Sequence, residues 1–180
     1  AATQLAVGNL GDEPSGLLRV SATITFGRLH VAPVLSRLAE QYPRLTCELL
    51  LTDQVVDLAD EHIDLALRMT RSPPQDAVVQ QLATLDRAIC ASPAYLAAHG
   101  EPRSVADLAG HQTLSYLLAD DQRWHLTGPD GRTHIVPVTS RMRTNNTARL
   151  LDLGLAGQGL AILPHYLIAP YVAQQRLGVV

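Results

Sequence analysis

Three groups of polar residues in this chain have the types and spacing to grip a small molecule. Ser21, Thr23 and Thr25 alternate just before an apolar helical pattern. Hydroxyls at a helix start lie beside unpaired N–H groups and a partial positive charge, a setting that favours a carboxylate or similar anion. They could equally serve as ordinary helix caps. Thr144 and Asn145 open a second helical pattern, Thr144-Asn145-Asn146-Thr147, with the same two readings. Thr52 and Arg68 each end a strand-like run. A guanidinium can hold a carboxylate through two parallel bonds. Pairing of Arg68 with Asp53, Asp64 or Glu61 is the competing use.

The residues that would make or break bonds are not arranged to do so. All 14 basic residues are Arg and there is no Lys, which excludes a Schiff-base or phosphate-loop lysine. No Ser lies in a Gly-x-Ser-x-Gly turn. His30, His62, His99, His111, His125, His134 and His165 include no pair with metal-ligand spacing on one helix face. Cys47 and Cys90 sit in apolar runs and match no Cys-x-x-Cys pattern, which reads as two structural thiols in a reducing compartment. Asp120 and Asp121 fall in a turn-like loop and read as solvated. Gly154, Gly157 and Gly159 resemble a nucleotide loop superficially, but they close a helix and open a strand, the reverse of a dinucleotide fingerprint. No catalytic group, metal or cofactor is expected.

The elements that must position these groups follow from periodicity. Leu17–Ala22, Thr46–Leu51 and the alternation Ile63, Leu65, Leu67 read as strands. Val31, Val34, Leu35, Leu38 and Tyr42 have helical spacing, with Pro33 best placed in the first turn and Pro43 as the stop. Gln54–Asp60 reads as a short helix. The order strand–helix–strand–helix–strand implies a parallel sheet with crossover helices, whose ligands lie beyond the carboxyl ends of the strands. Ser21–Phe26, Thr52–Asp53 and Arg68–Arg71 are the segments at those ends.

Ser72-Pro73-Pro74 breaks this pattern, and the chain is expected to cross to a second lobe. Val78–Leu82 and Leu85–Ala91 read as strands. Ser92-Pro93 starts a helix that Gly100 stops, and Ser104 with Asp107 resembles a capping box. Thr113–Leu117 is a strand. Trp124–Leu126 and Arg132–Val138 flank a Gly128-Pro129-Asp130-Gly131 turn, with Trp124 as a packing residue. The stretch 140–164 combines a strand, the Asn/Thr helix start, an apolar helix and a buried strand. A last helix runs to about Gln174 and a strand begins at Leu177.

Composition sets the outer bounds. A chain of 180 residues, 47% hydrophobic and 17% charged, builds a sizeable core. Its net charge of −3 lacks the basic clustering of a free-standing DNA binder. No apolar run reaches the length of a membrane span, and the first residues do not read as a signal peptide.

Read in order, Gly16-Leu-Leu-Arg-Val-Ser-Ala, Leu29-His-Val-Ala-Pro-Val-Leu, Tyr42-Pro and Asp60-Glu-His-Ile-Asp-Leu-Ala-Leu-Arg resemble the effector-binding domain of LysR-type transcriptional regulators. Ser92-Pro-Ala-Tyr-Leu, Val105-Ala-Asp-Leu-Ala-Gly-His and Gly157-Gln-Gly-Leu-Ala-Ile-Leu-Pro extend the resemblance to residues 16–180. It implies an α/β fold of the periplasmic-binding-protein-like type II, with two lobes, each a mixed, mostly parallel sheet flanked by helices. Residues 1–15 would end a linker, 16–83 form lobe I, 84–163 form lobe II, and 164–180 return toward lobe I. The family pattern continues past Val180.

The resemblance further implies a small-molecule effector, such as a carboxylate, held between the lobes by Ser21, Thr23, Thr25, Thr52, Arg68, Thr144 and Asn145. It implies assembly as a homodimer or homotetramer, DNA contact through an N-terminal helix-turn-helix outside this chain, and a cytoplasmic protein without membrane contact. A periplasmic solute-binding protein of a transporter shares the fold logic and is the alternative.

Overall fold

The structure is a computed structural model that describes residues 13–54, 62–70, 72–74, 77–118, 123–128 and 131–180. The chain divides into two compact units, Ala1–Arg68 and Met69–Val180. The expected helix Gln54–Asp60, together with Glu61, Asp120 and Asp121, lies outside the described residues except for Gln54 itself.

In the first unit, β1 (Gly16–Ala22) is the central strand between β2 (Leu45–Leu51) and β3 (Leu65–Leu67). Both pairings are parallel, with Val20 opposite Leu49 and Leu65. The carboxyl ends of the strands therefore lie along one edge of the sheet. β2 alternates half-buried Leu45, Cys47, Leu49 and Leu51 with exposed Thr46, Glu48 and Leu50, the period of a sheet covered on one face. Central β1 ends in three consecutive buried residues, Val20, Ser21 and Ala22. Arg19 holds the sheet laterally: its Nε donates to Glu48 at 2.6 Å and its backbone N–H to Asp64 at 2.8 Å.

The helical run after β1 starts earlier than Pro33 suggests. It begins with α1 (Ile24–Phe26), passes through a π-helical turn at Gly27–Val31, and continues as α2 (Ala32–Gln41). In ordinary α geometry the Pro33 ring would collide with the carbonyl four residues back. The π turn, in which Ala32 N–H bonds to Gly27 O, widens the backbone just ahead of it. Pro33 thus sits in the first turn of α2 but well inside the continuous helical run. Val31 and Leu35 pack on Val20 and Ala22, with Phe26, Leu38 and Leu51 around them.

The second unit holds a five-stranded sheet in the order β10-β4-β9-β5-β8: β10 (Gly178–Val179), β4 (Arg87–Ala91), β9 (Leu160–Pro164), β5 (Thr113–Tyr116) and β8 (Ser140–Thr144). β5 runs parallel to β8 and β9, whereas β4 is antiparallel to β9 and β10. α4 (Thr147–Leu155) and α5 (His165–Ala173) bring Leu150, Leu151, Leu153, Leu167 and Ile168 onto one face, against Cys90, Ala161 and Leu163. The other face carries Leu160 and Ala91 against Tyr95 of α3 (Pro93–His99), Leu108, Trp124 and Val136. β9 is covered on both sides, so Leu160-Ala161-Ile162-Leu163 reads as an unbroken apolar run. Each fully buried leucine contributes roughly 2 kcal/mol.

Residues 164–180 pack and pair within this unit, through α5 and β10. Trp124 is buried in the core, on the hairpin of β6 (Arg123–Thr127) and β7 (Thr133–Pro137).

One expected strand is absent. Val78–Leu82 pairs with nothing, and Val78 and Leu82 are strongly exposed. A β-branched pair such as Val78-Val79 favours extended backbone, but it becomes a strand only when a neighbour takes up its N–H and C=O groups. The strand expected at Leu85 likewise begins only at Arg87.

The local caps follow the sequence closely. Ser92 Oγ accepts the Tyr95 N–H at 3.2 Å, and Gly100 ends α3 at φ 82°. Asp107 accepts the backbone N–H groups of Arg103 and Ser104 at 2.9 and 2.8 Å. Those bonds, the Arg103 backbone bond first, hold its carboxyl below the usual range. The glycine run closes α4: Gln158 N–H reaches back to Leu153 O at 3.0 Å, and Gly157 has φ 74°. Gly159 then lies so close to the neighbouring strand that a Cβ would stand 2.6 Å from the Gln112 carbonyl oxygen.

Candidate functional site

Three of the expected contact residues meet at the carboxyl edge of the first unit's sheet. Arg68 leaves β3 and turns its guanidinium across the ends of the neighbouring strands. Its Nη2 donates to Ser21 Oγ at 2.6 Å, and its Nη1 donates to the Thr52 carbonyl oxygen at 3.2 Å. Ser21 is fully buried at the end of the central strand. The Thr52 backbone is itself fixed by donating to Ala22 O at 3.0 Å. The parallel register makes this meeting possible, because it sets Ala22, Leu51 and Leu67 side by side.

Asp53 completes the group. Its Oδ1 accepts the Ile24 N–H at 2.9 Å, the first free amide of the helical run. Thr23 occupies the N-cap position yet makes no side-chain cap bond. The capping use weighed for Thr23 is thus taken over by a residue of another strand. Burial pulls the Arg68 pKa below the usual guanidinium range, and the nearby Asp53 charge counters that pull. Arg68 stays cationic, with two of its five N–H donors used among the described residues.

Among the described residues, Thr25 Oγ1 and Asp53 Oδ2 are buried without a hydrogen-bond partner. Thr25 is only 3% exposed. Native structures rarely leave such atoms unpaired. The Thr52 hydroxyl, in contrast, is spent locally on the Gln54 N–H at 3.2 Å.

Thr144 and Asn145 lie in the second unit, between β8 and α4. Thr144 Oγ1 accepts the Asn146 N–H at 3.2 Å, and its carbonyl accepts the Leu117 N–H at 2.9 Å. The cap of α4 is Asn146, whose Oδ1 accepts the Arg149 N–H at 3.0 Å. Asn145 is exposed and takes no part in the cap. A hydroxyl cluster not foreseen from sequence joins Thr113, Ser115 and Ser140, with Thr113 Oγ1 and Ser140 Oγ 2.8 Å apart and a still shorter Ser115–Ser140 contact. It sits toward the amino ends of β5 and β8, which suits strand-to-strand fastening. Tyr95 Oη, which accepts the Gln112 N–H at 2.9 Å and meets His111 Nδ1 at 3.2 Å, is likewise new.

At this corner the Arg68 cation meets the buried Ser21 hydroxyl and the Thr52 carbonyl, with the Asp53 charge nearby. Among the described residues, no helix is long and apolar enough to cross a membrane.

Comparison with known proteins follows the same lines. The family model described as the LysR substrate binding domain matches residues 11–180. The chain is 32% identical to the HTH-type transcriptional regulator DmlR of Escherichia coli strain K12, over 95% of its own length and 58% of that protein. Identity to the HTH-type transcriptional regulator PtxR of Pseudomonas aeruginosa is also 32%, over 95% of the chain and 55% of the relative. The chain therefore spans a little over half the length of the curated relatives it matches. Among solved structures, CrgA of Neisseria meningitidis, a LysR-type transcriptional regulator, superposes with a TM-score of 0.80 at 26% identity, covering 93% of this chain and 56% of that one. The CrgA regulatory domain alone gives 0.79 at 26% identity, covering 93% and 81%.

Proposed function

The chain belongs to the LysR substrate-binding domain family, and on that premise we propose that it senses a small-molecule effector for a longer transcriptional regulator. Ser21, Thr23, Thr25, Thr52 and Arg68 of the first unit and Thr144 and Asn145 of the second are the residues proposed to contact the effector. The single observation that carries this reading is the Arg68–Ser21–Thr52 set at the carboxyl edge of a parallel sheet, where open α/β sheets take ligands.

The domain acts by population shift. An effector that touches both units favours one of their arrangements, and it changes the output only by its differential affinity for the two. The longer protein works in the cytoplasm as a homodimer or homotetramer. It contacts DNA through an N-terminal helix-turn-helix, and its transcription responds to the effector. The domain itself is not an enzyme. The relatives' names favour this reading over a solute-binding protein of a transporter.

A thermal-denaturation screen of small carboxylates and aromatic acids tests it. A ligand that binds only the folded state raises the midpoint. The reading requires at least one compound that does so with the wild-type chain and fails with Arg68→Met. A hit of equal strength on both would place the effector elsewhere.

A further inference from the structure

The resemblance counts Ser21 among the ligand contacts, but its place in the sheet gives it another task. It is the penultimate residue of the central strand, flanked by Leu50 of β2 and Ala66 of β3. Its strand neighbours Val20 and Ala22 pack against the helical run, together with Leu18. Ser21 therefore belongs to the opposite face of β1, the face that Arg19 shares. It has no exposed surface, so its hydroxyl does not meet a molecule arriving from solvent. What it does meet is Arg68. Nη2 donates to Ser21 Oγ at 2.6 Å, the short distance of a charge-assisted bond. From beyond the end of β2, the Thr52 carbonyl accepts from Nη1 at 3.2 Å. The two ends of the guanidinium are thus tied to two different strands. Arg68 itself is only half-buried, so part of it stays open to solvent.

We propose that Ser21 is a positioning residue, which acts on the effector only through Arg68. The proposal rests on the effector-sensing reading above and moves Ser21 out of its contact set. An arginine side chain free in solvent samples many rotamers, and a ligand must stop that motion to be gripped by the fork. Ser21 Oγ and Thr52 O stop it when the chain folds. A carboxylate then meets a guanidinium whose plane is already set. Of the two acceptors only that of Ser21 is a side-chain atom, so substitution can remove it alone.

NMR of the Arg68 guanidinium nitrogens tests this in the purified chain, with the signals assigned by their loss in Arg68→Met. In the wild type, different acceptors hold Nη1 and Nη2, so the two give separate signals and rotate slowly about Nε–Cζ. Ser21→Ala removes a bond to a charged group, so the rotation speeds up about tenfold or more and the signals merge. Ser21→Cys, close in size but a weak acceptor, gives an intermediate rate. Urea denaturation shows that each variant is folded. Acetate is the probe of binding. Titrated into the wild type, it shifts the Arg68 signals, and Ser21→Ala weakens that binding about threefold to tenfold, the cost of immobilising one long side chain.

Signals already averaged in the wild type, or left apart by Ser21→Ala, overturn the proposal while the sensing reading stands. So does an acetate affinity that Ser21→Ala leaves unchanged although the signals merge. Should Ser21→Ala not fold, Ser21→Cys is read by the same criteria. If acetate moves no Arg68 signal in the wild type, the sensing reading at this corner falls and the proposal falls with it.

Discussion

The Asp53 carboxylate closes the start of the first helix by accepting the Ile24 N–H at 2.9 Å, across 29 residues of sequence. Thr23, which holds the N-cap position, makes no side-chain cap bond. The strand end that carries Asp53 is therefore tied to the helix that follows the central strand, and the hydroxyl of Thr23 is left for other use. Removing a capping carboxylate costs about 1 kcal/mol. Asp53→Ala should lower stability in urea denaturation by that amount, and Thr23→Ala by less than about 0.5 kcal/mol. The two losses coming out in the opposite order would mean that Thr23 is the working cap. Under the sensing reading, Thr23→Ala weakens effector binding while the urea midpoint holds.

Arg68 bonds two acceptors through two different nitrogens of one planar fork. An ammonium lacks that planar fork and its remaining parallel donors for a carboxylate. Arg68→Lys should retain the fold yet lose roughly tenfold or more in affinity for an anionic ligand. Arg68→Met also strands the buried Ser21 hydroxyl, so about 1–2 kcal/mol of stability should go with it. Chemical denaturation of both variants beside a ligand titration distinguishes the cases. Wild-type affinity in the lysine variant would show that the guanidinium fork is not what holds the ligand.

What could be read from the sequence was whatever depends on neighbours within a few positions. Ser92 and Gly100 bracket their helix as the capping rules require, and the unbroken run Leu160–Leu163 marks the doubly covered strand. Arg68 and Ser21, 47 residues apart, were both placed at strand ends, although their bond depends on the parallel register. The helix cap by Asp53 lay beyond any local rule. Val78–Leu82 was misleading because β propensity describes a chain that can pair, not one that does. The π turn was hidden for a related reason: Pro33 signals a disturbance but not whether the helix breaks there or widens. The stretch Thr144–Thr147 marks the start of α4, and Asn146 is the residue in it that caps the helix.

At Gly27 the helical run lies close against the sheet. Its φ is −57°, so the backbone is ordinary and only space matters. A Cβ there would stand 2.3 Å from Leu51 Cδ2 and 3.0 Å from Ala22 Cβ. Gly27→Ala should cost about 1–3 kcal/mol through overpacking. Leu51→Ala removes the obstructing methyls, so the double variant should recover part of what the two single changes lose separately. Strict additivity in a double-mutant cycle would show that the helix shifts instead of pressing on Leu51.

Cys90 gives the second unit a distinct alkaline signature. Its side chain is fully buried, its S–H donates to Ala161 O at 3.6 Å, and burial pushes the thiol from an ordinary 9.0 up to about 12. The folded state thus keeps a proton that the unfolded chain sheds near its ordinary value. The contribution is fully present below pH 9 and is lost as pH rises toward 12. Across that window the unfolded state binds fewer protons, so stability falls with pH, by at most about 1.4 kcal/mol per unit from this group. Cys90→Ala removes the titration while leaving a small void, and its stability should fall less steeply over the same range. Parallel pH profiles for the wild type and the variant would mean that the thiol does not carry the effect. The same burial predicts that a thiol reagent at pH 8 labels half-buried Cys47 in the native chain and reaches Cys90 only after denaturation.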